Sequence, residues 1–446
     1  MIDSILELMN GSHVSPARLH ELISDMNIVD VADAVEQLGG GKAVQLYRLL
    51  PKDIAADVFA YLEPETQQAI IEALTDAEAG KIIDELFVDD AVDFIEEMPA
   101  NVVKRVLRHA SAETRKSINQ ILQYPDDSAG SIMTTEYVDL KEDVTVGEAF
   151  NLIRATGLNK ETIYTCYVIR RDRVLVGAVS AKTLLLANTG DRIGDIMDEN
   201  LISAHTTDDQ EEVANLFTRY GLLSLPVVDK EQRLVGIVTV DDIVEVIEEE
   251  ATEDIEKMAA LSPLDDSYHK TGVFGHYRKR IMWLMILMLT ATVTQTVITT
   301  FEDAISVLPV LAFFIPMLMD TGGNAGCQTS ALIIRGIALG EIHFGDIIKV
   351  LWLEIRVGVI CGVLLAIVNF VRVYIMYNGD ILLGITISVS LIATVIIAKS
   401  IGCLLPLAAK KVRLDPALMA APLITTISDA LSLTIYFTIA SALMRL

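Results

Sequence analysis

The sequence predicts a multidomain chain: an α-helical superhelix at the N-terminal end, a duplicated α/β unit, a connecting helix and a five-helix α transmembrane domain. Three observations predict it. The 446 residues carry a formal net charge of -26 although 52% of them are hydrophobic, a combination unlike that of one globular domain. The charge is segregated: Val273 to Leu446 holds 12 Lys+Arg and 9 Asp+Glu, leaving 23 basic and 52 acidic residues in Met1 to Gly272. Between the two extremes, one pattern of about 60 residues occurs twice.

Residues 1–128 show short helical patterns, among them LLPKDIAADVFAYL, ETQQAIIEAL, DAEAGKIIDEL and DDAVDFIEEM, with apolar residues at i, i+3 and i+4. Too short to stand alone, such units bury their apolar stripes by stacking on neighbours, which predicts a right-handed superhelical stack. Pro51 and Pro99 suit first-turn positions, and Thr75 and Ser111 suit N-caps. The pairs Asp53/Asp57 and Asp89/Asp93 each put two carboxylates on one helix face, either a solvated acidic face or a pair that needs something to screen it. The acidic excess excludes nucleic acid as a partner, because phosphate binding needs clustered Lys and Arg, and it suits cations. The opening MIDSILELMN lacks a basic n-region before an apolar core, so no cleavable signal peptide is expected. Cys166, Cys327, Cys361 and Cys403 show no paired spacing, so neither a zinc site nor a disulfide framework is indicated.

Residues 129–250 hold the repeat, with copies at 129–190 and 191–250. Ile132-Met133, Tyr167-Val168-Ile169 and Val176-Gly177-Ala178-Val179 recur as Ile196-Met197, Pro226-Val227-Val228 and Val235-Gly236-Ile237-Val238, which predicts a β-α-β-β-α unit used twice. LPVVDKEQRLVGIVTVDDIVEVI, from Leu225 to Ile247, resembles the second half of a CBS domain, and Gly130 to Ala187 resembles its partner. The resemblance implies a pseudo-twofold pair that dimerises across chains and whose cleft takes an adenine nucleotide such as ATP, with Thr239 and Asp242 at the ribose. Asp242 equally suits a helix N-terminus, where an acid stabilises the dipole. Residues 251–272 follow as an acidic connecting helix and linker, read either as a coupling element or as a solvated charged helix.

Residues 273–446 carry apolar runs at Ile281–Thr300, Ile305–Ile334, Ile347–Val371, Ile381–Ala409 and Ala417–Leu443, each covering the roughly 20 residues a bilayer core requires. Arg278, Lys279, Arg280, Arg335, Lys349, Lys410, Lys411 and Arg413 flank one side of these runs. Arg372 and Arg445 lie on the other, beside Glu302, Asp303 and Asp380. The positive-inside rule then places the chain in the cell membrane with its acidic domains cytoplasmic and Leu446 outside.

Two of the runs are chemically unusual. The second contains Asp320-Thr321-Gly322-Gly323-Asn324-Ala325-Gly326-Cys327-Gln328-Thr329-Ser330, too polar for a lipid-facing helix. Its glycines permit close packing or local unwinding, and its amides are tolerable where they line a cavity or a helix interface. The last run carries Asp429 near its middle, after Pro422, Thr425, Thr426 and Ser428. A carboxylate at that depth is costly and marks either a cation path or an acid neutralised by a proton or a Lys. Asp320 and Lys399, at comparable depths by residue count, are expected to pair between the second and fourth runs, unless Lys399 snorkels to the cytoplasmic edge. Glu354 and Arg356 near the inner end of the third run read as a second cation contact or as interfacial anchors. There is no HExxH, no phosphate loop and no hydrolase constellation, so no enzyme is expected.

The order of these parts, with the strings PMLMDTGGNAGCQTSALIIRG (Pro316 to Gly336) and DPALMAAPLITTISDALSLTIYF (Asp415 to Phe437), resembles the MgtE family of magnesium channels and transporters over essentially the whole chain. The resemblance implies a homodimeric Mg²⁺ pore with Asp429 as the selectivity carboxylate and unwound backbone and polar groups at Gly323, Asn324 and Thr425. It implies that cytosolic Mg²⁺ bound by Asp89, Asp93, Asp209, Glu211, Asp242, Glu245, Glu250, Glu253 and Asp254 closes the pore. Ala421, Cys327 and Gly221 stand where some members carry Asn, Asn and an acid. Oxygen ligands suit a largely hydrated Mg²⁺, but do not by themselves exclude Co²⁺ or Ca²⁺. A CBS-regulated membrane receptor that conducts nothing is the reading from another class.

Overall fold

The computed structural model describes residues 2–10, 16–52, 54–263, 271–412, 414–419 and 421–445. Asp53, Arg413 and Leu446, and the side chain of Ala421, lie outside that description. The chain forms two compact units, Met1–Ile247 and Glu248–Leu446.

The first unit begins with short helices from Ile2–Asn10 to Ala112–Ile121. Their apolar stripes merge into one core in which Phe59 meets Tyr47 and Phe94 edge-on, with ring centroids 6.1 and 5.3 Å apart. Thr75 caps Asp76–Glu85 through a reciprocal pair with Glu78, and Ser111 caps Ala112–Ile121, as the sequence predicts. The prolines behave differently: Pro99 is the N-cap of Ala100–His109, while Pro16 and Pro64 open the helices Pro16–Ser24 and Pro64–Ala73.

Two three-stranded sheets follow. In the first, β1 (Asp139–Lys141) runs parallel to β2 (Thr165–Ile169), which pairs antiparallel with β3 (Leu175–Ser180). In the second, β4 (Ala204–His205), β5 (Ser224–Val228) and β6 (Leu234–Thr239) repeat that order. Each sheet has a register irregularity at the equivalent step, Val168/Ile169 and Val227/Val228. The segment leading into each copy pairs with the sheet of the other: Thr134 bridges Ile237, and Asp198 bridges Ala178. At both crossings a glycine makes the room, because a Cβ on Gly177 or Gly236 would lie 2.6 Å from the sulfur of Met197 or Met133. Tyr167 joins the sheets by a 2.8 Å hydrogen bond with Ser224. A single helix, Val240–Met258, contains both the last helix of the repeat and the start of the acidic connecting stretch.

In the second unit, Val273–Thr300, Phe344–Met376, Ile381–Lys411 and Pro416–Met444 are long and apolar enough to cross a membrane. The expected second span is not one element. Pro309 opens a 3₁₀ turn, Pro309–Phe314, and the α-helix runs from Ile315 to Ala338 with Pro316 in its first turn. That helix, about 36 Å long at 1.5 Å per residue, reaches across a bilayer core by length, but its polar string keeps it out of the apolar group. It is helical throughout, so the expected unwinding at Gly322 to Gly326 does not occur; the glycines are a packing seam.

The seam is tight. A Cβ on Gly322 would lie 2.8 Å from Ser432 Oγ and 2.9 Å from Thr394 Cγ2, and a Cβ on Gly402 would collide with the carbonyl of Gly326. Backbone cannot yield as a flexible side chain can, so Gly402→Ala is expected to lower stability by about 1–3 kcal/mol, read as a lower Tm in detergent, whereas Ala at the open Gly345 is expected to leave Tm nearly unchanged. Leu311, Phe314, Leu318, Ile387, Leu433 and Phe437 pack one end of this bundle, and Tyr436 donates to the carbonyl of Leu311 at 3.0 Å.

Candidate cation sites

The acids of the first unit converge on the Val88–Glu97 helix. Asp89 and Asp90 stand in its first turn and Asp93 one turn on. The start of Val240–Met258, with Asp241, Asp242 and Glu245, brings its charges to bear on them. Asp89 is 8% exposed, and burial followed by repulsion from Asp242, Asp90 and Glu161 holds its carboxyl well above the usual range. The same two causes push Asp90 to about 7, Asp93 to about 8 and Glu161 to about 8. Burial raises Asp242 to about 6, against a 2.6 Å hydrogen bond from Thr239 that favours its charged form. Glu161 keeps a buried Oε2 without a hydrogen-bond partner. Among the described residues no three such groups stand close enough to hold one ion as they are. The arrangement is a repulsive crowd of acids held a short distance apart.

The other predicted acids lie elsewhere. Asp209 is exposed and caps Gln210–Tyr220, accepting from the Glu211 amide at 2.9 Å. Gly221 ends that helix with φ of +62°, a left-handed position that an acidic side chain occupies only under strain. In the second unit, Glu253 accepts from Lys257 at 2.8 Å, and Lys257 also reaches Asp415 at 2.7 Å, just ahead of the last helix. Burial and the Asp415 charge raise Asp254 beside them. Sequence reasoning missed Asp90, Asp241, Glu161 and the Lys257–Asp415 pair. The doublets Asp89-Asp90 and Asp241-Asp242 were an available signal; Glu161, in an irregular stretch, offered none.

Within the membrane helices, Asp429 is half-buried on Ala421–Met444, and the charge of Asp320 repels it. Asp320, Asn324 and Gln328 are exposed at i, i+4 and i+8, one stripe along Ile315–Ala338. Gly323 is buried against Thr425, whose Cγ2 would lie 3.1 Å from an added Cβ, so the two polar runs do meet at one level. Thr425 and Thr426 donate to the carbonyl of Pro422 at 2.9 and 3.0 Å, leaving their oxygens able to accept. Ser428, Thr394 and Ser330 carry buried hydroxyls without partners.

The expected Asp320–Lys399 pair is not formed. Lys399 instead reaches Glu354 at 3.4 Å and Thr329 at 3.1 Å, and Asp320 stays on the exposed stripe. Lys399 therefore does not snorkel, and Glu354 is neither an interfacial anchor nor open to an ion. Arg356 stacks over Trp352 at 6.0 Å and donates to its carbonyl.

An acid-rich unit joined to long apolar helices, with an amide and carboxylate stripe at their surface, has the make-up of a membrane transport protein for cations. Comparison with known proteins agrees. Residues 315–439 match MgtE, the divalent cation transporter family; residues 26–127 match the MgtE intracellular N domain, and residues 129–190 and 193–249 match the CBS domain. The chain is 36% identical over 431 residues to the magnesium transporter MgtE of Thermus thermophilus, covering 96% of this chain and 95% of that one. It is 35% identical over 428 residues to that of Bacillus subtilis, covering 95% and 93%. A crystal structure of the soluble part of a magnesium transporter covers 56% of this chain and 98% of its own, with 32% identity and a TM-score of 0.53. Another, of the cytosolic domain of the Mg²⁺ channel MgtE in complex with ATP, covers 51% and 92%, with 35% identity and a TM-score of 0.48. The chain belongs to the MgtE family of magnesium transporters.

Proposed function

We propose that this chain forms a homodimeric, Mg²⁺-selective channel whose pore is lined by the Asp320–Asn324–Gln328 stripe and by Asp429, and which cytosolic Mg²⁺ closes. The observation that carries the reading is that stripe. Polar groups facing hydrocarbon are unfavourable, whereas a second copy placed over them by a twofold axis encloses a wet path and supplies a second Asp429. Five spans, with Ile315–Ala338 as the second, separate the two ends, the basic flanks assign the acidic domains to the cytoplasm and the C-terminal end to the outside, and the inward-negative membrane potential then drives a divalent cation inward. A non-conducting receptor has no need of such a stripe.

Closure follows from the acid crowd. When Mg²⁺ is scarce the carboxylates of Asp89, Asp90, Asp93, Asp242 and Glu161 hold their helices apart; bound ions screen them and favour the closed arrangement, and only this differential affinity shifts the gate. Asp209 and Glu211 in the first unit, and Glu250, Glu253 and Asp254 in the second, are further acids that the ions neutralise. Adenine nucleotide fits the repeat pair better at its first copy than at Thr239 and Asp242. The Thr239 hydroxyl bonds Asp242, which faces other acids, whereas at the equivalent positions the Ser180 and Thr183 hydroxyls bond each other at 2.8 Å beside Lys182, with no acid in that helix's first turn.

The test is uptake by the purified chain in liposomes under an inward-negative potassium diffusion potential. Mg²⁺ uptake is expected to saturate, to outlast competition by equal Ca²⁺ or Co²⁺, and to fall as Mg²⁺ rises on the cytosolic face. Preference for Co²⁺ or Ca²⁺ would assign the pore to that ion instead, and absence of any divalent flux would refute it.

A further inference from the structure

Among the described residues of the membrane helices, Glu354 and Lys399 are the charged residues less than a tenth exposed, at 9% and 7%, and Thr329 beside them is fully buried. The three come from three different helices and close a triangle. Glu354 Oε2 accepts from Thr329 Oγ1 at 2.8 Å and from Lys399 Nζ at 3.4 Å, while Lys399 Nζ donates to Thr329 Oγ1 at 3.1 Å. A carboxylate and a hydroxyl facing one buried point of a bundle are the oxygen chemistry that binds a hard cation. Here the chain's own ammonium sits at that point. Its stem is held in place: Gly358 lies against Ile396 and Lys399, with an added Cβ 3.2 Å from Ile396 Cα and 3.5 Å from Lys399 Cδ. Thr329 follows Gln328 directly, so the triangle backs onto the helix that carries the polar stripe.

We infer that Lys399 is a tethered counter-cation: its ammonium fills an oxygen site built by Glu354 and Thr329 and so withholds this buried carboxylate from the permeating divalent ion. An uncompensated Glu354 would hold such an ion beside the path and slow its exit, since conduction needs sites weak enough to leave. An uncompensated Lys399 would repel it, and because Coulomb energy scales with charge, it would repel a divalent ion about twice as strongly as a monovalent one. The pair keeps the wall of the path neutral. Its transport consequences rest on the Mg²⁺-channel reading above; its ion-binding consequence rests on the triangle alone.

The experiment uses the full chain with Lys399→Met, Glu354→Gln and both together, with Mn²⁺ as the bound probe counted by electron paramagnetic resonance and with Mg²⁺ and K⁺ flux in liposomes. Lys399→Met is expected to bind one more Mn²⁺ per chain than the parent protein, and the double variant to lose that ion again. Glu354→Gln is expected to cut Mg²⁺ flux at least about tenfold and K⁺ leak by less, the double variant restoring Mg²⁺ flux to within about threefold of the parent. A monodisperse Lys399→Met that gains no Mn²⁺ overturns the inference, as does a folded double variant that transports no better than Glu354→Gln. Should Lys399→Met fail to fold, that second comparison decides. If the parent protein passes no Mg²⁺ at all, the channel reading falls while the Mn²⁺ count still judges the triangle.

Discussion

Asp429→Asn is expected to reduce Mg²⁺ flux on the order of a hundredfold while leaving the protein folded. Asn keeps the size and one oxygen of the side chain and removes only the charge. At an effective dielectric of about 20, a unit charge about 5 Å from a divalent ion contributes about 6–7 kcal/mol of attraction. Hydration returns much of that, and a net loss of about 3 kcal/mol corresponds to roughly a hundredfold. The measurement is Mg²⁺ uptake into liposomes, with K⁺ flux alongside, because a carboxylate that selects by charge should lose divalent preference more than total conduction. Asp429→Glu, which restores the charge about one methylene further out, is expected to recover part of the flux. Equal flux in the parent protein and Asp429→Asn would remove Asp429 from the ion path. Asp320→Asn provides the internal comparison: exposed on the stripe and repelling Asp429, it is expected to have a smaller effect of the same sign.

The sequence made some of this geometry readable and hid the rest for identifiable reasons. Apolar runs of bilayer length and the repeat with its paired glycines, Gly177 and Gly236, announced their elements because one local pattern fixes each. Depth within the membrane did not read correctly. The stretch before Ile315 is as apolar as the helix itself, so counting from Ile305 put Asp320 midway, whereas the helix starting at Ile315 puts it in the second turn. That error alone made Asp320 look level with Lys399. The true partner, Glu354, was read only as a second cation contact or an interfacial anchor near the inner end of the third run, because which face of the third helix meets the fourth is set by Gly358 and Gly362 packing on Ile396 and Ile392, a contact between helices that residue counting does not show. Asp89 and Asp93 were visible as an i, i+4 pair, and Asp242 as an acid at a helix N-terminus. Their company with Glu161 arises only when the second copy of the repeat, the loop of the first and an N-terminal helix are folded against one another.

That company should make the folded state of the acidic unit sensitive to pH in a direction opposite to that of a salt-bridged protein. Asp89, Asp90, Asp93, Asp242 and Glu161 all ionise with more difficulty folded than unfolded, and the groups facing them, Asp57, Glu136, Asp241 and Glu245, are acids too. An unfolded carboxyl titrates near 4, while Asp90, Asp93 and Glu161 titrate at about 7 to 8 when folded. The folded arrangement is therefore unpenalised below about pH 4, loses stability as pH rises from there, and carries the full cost above about pH 8. Asp93 retains an exposed surface and the acids act on one another, so the individual costs do not add; a combined effect on the order of 3 kcal/mol, about two pK units' worth, is a fair expectation. Amide exchange across Val88–Glu97 in the full chain, without divalent ions, is expected to speed up as pH rises from 5.5 to 8 beyond the intrinsic pH effect, and Asp89→Asn is expected to blunt that rise. Millimolar Mg²⁺ should abolish the pH dependence by supplying the missing positive charge. If exchange at pH 8 were equally slow with and without Mg²⁺, the carboxylates would not be holding the helix apart, and the acid crowd would lose its claim to the gate.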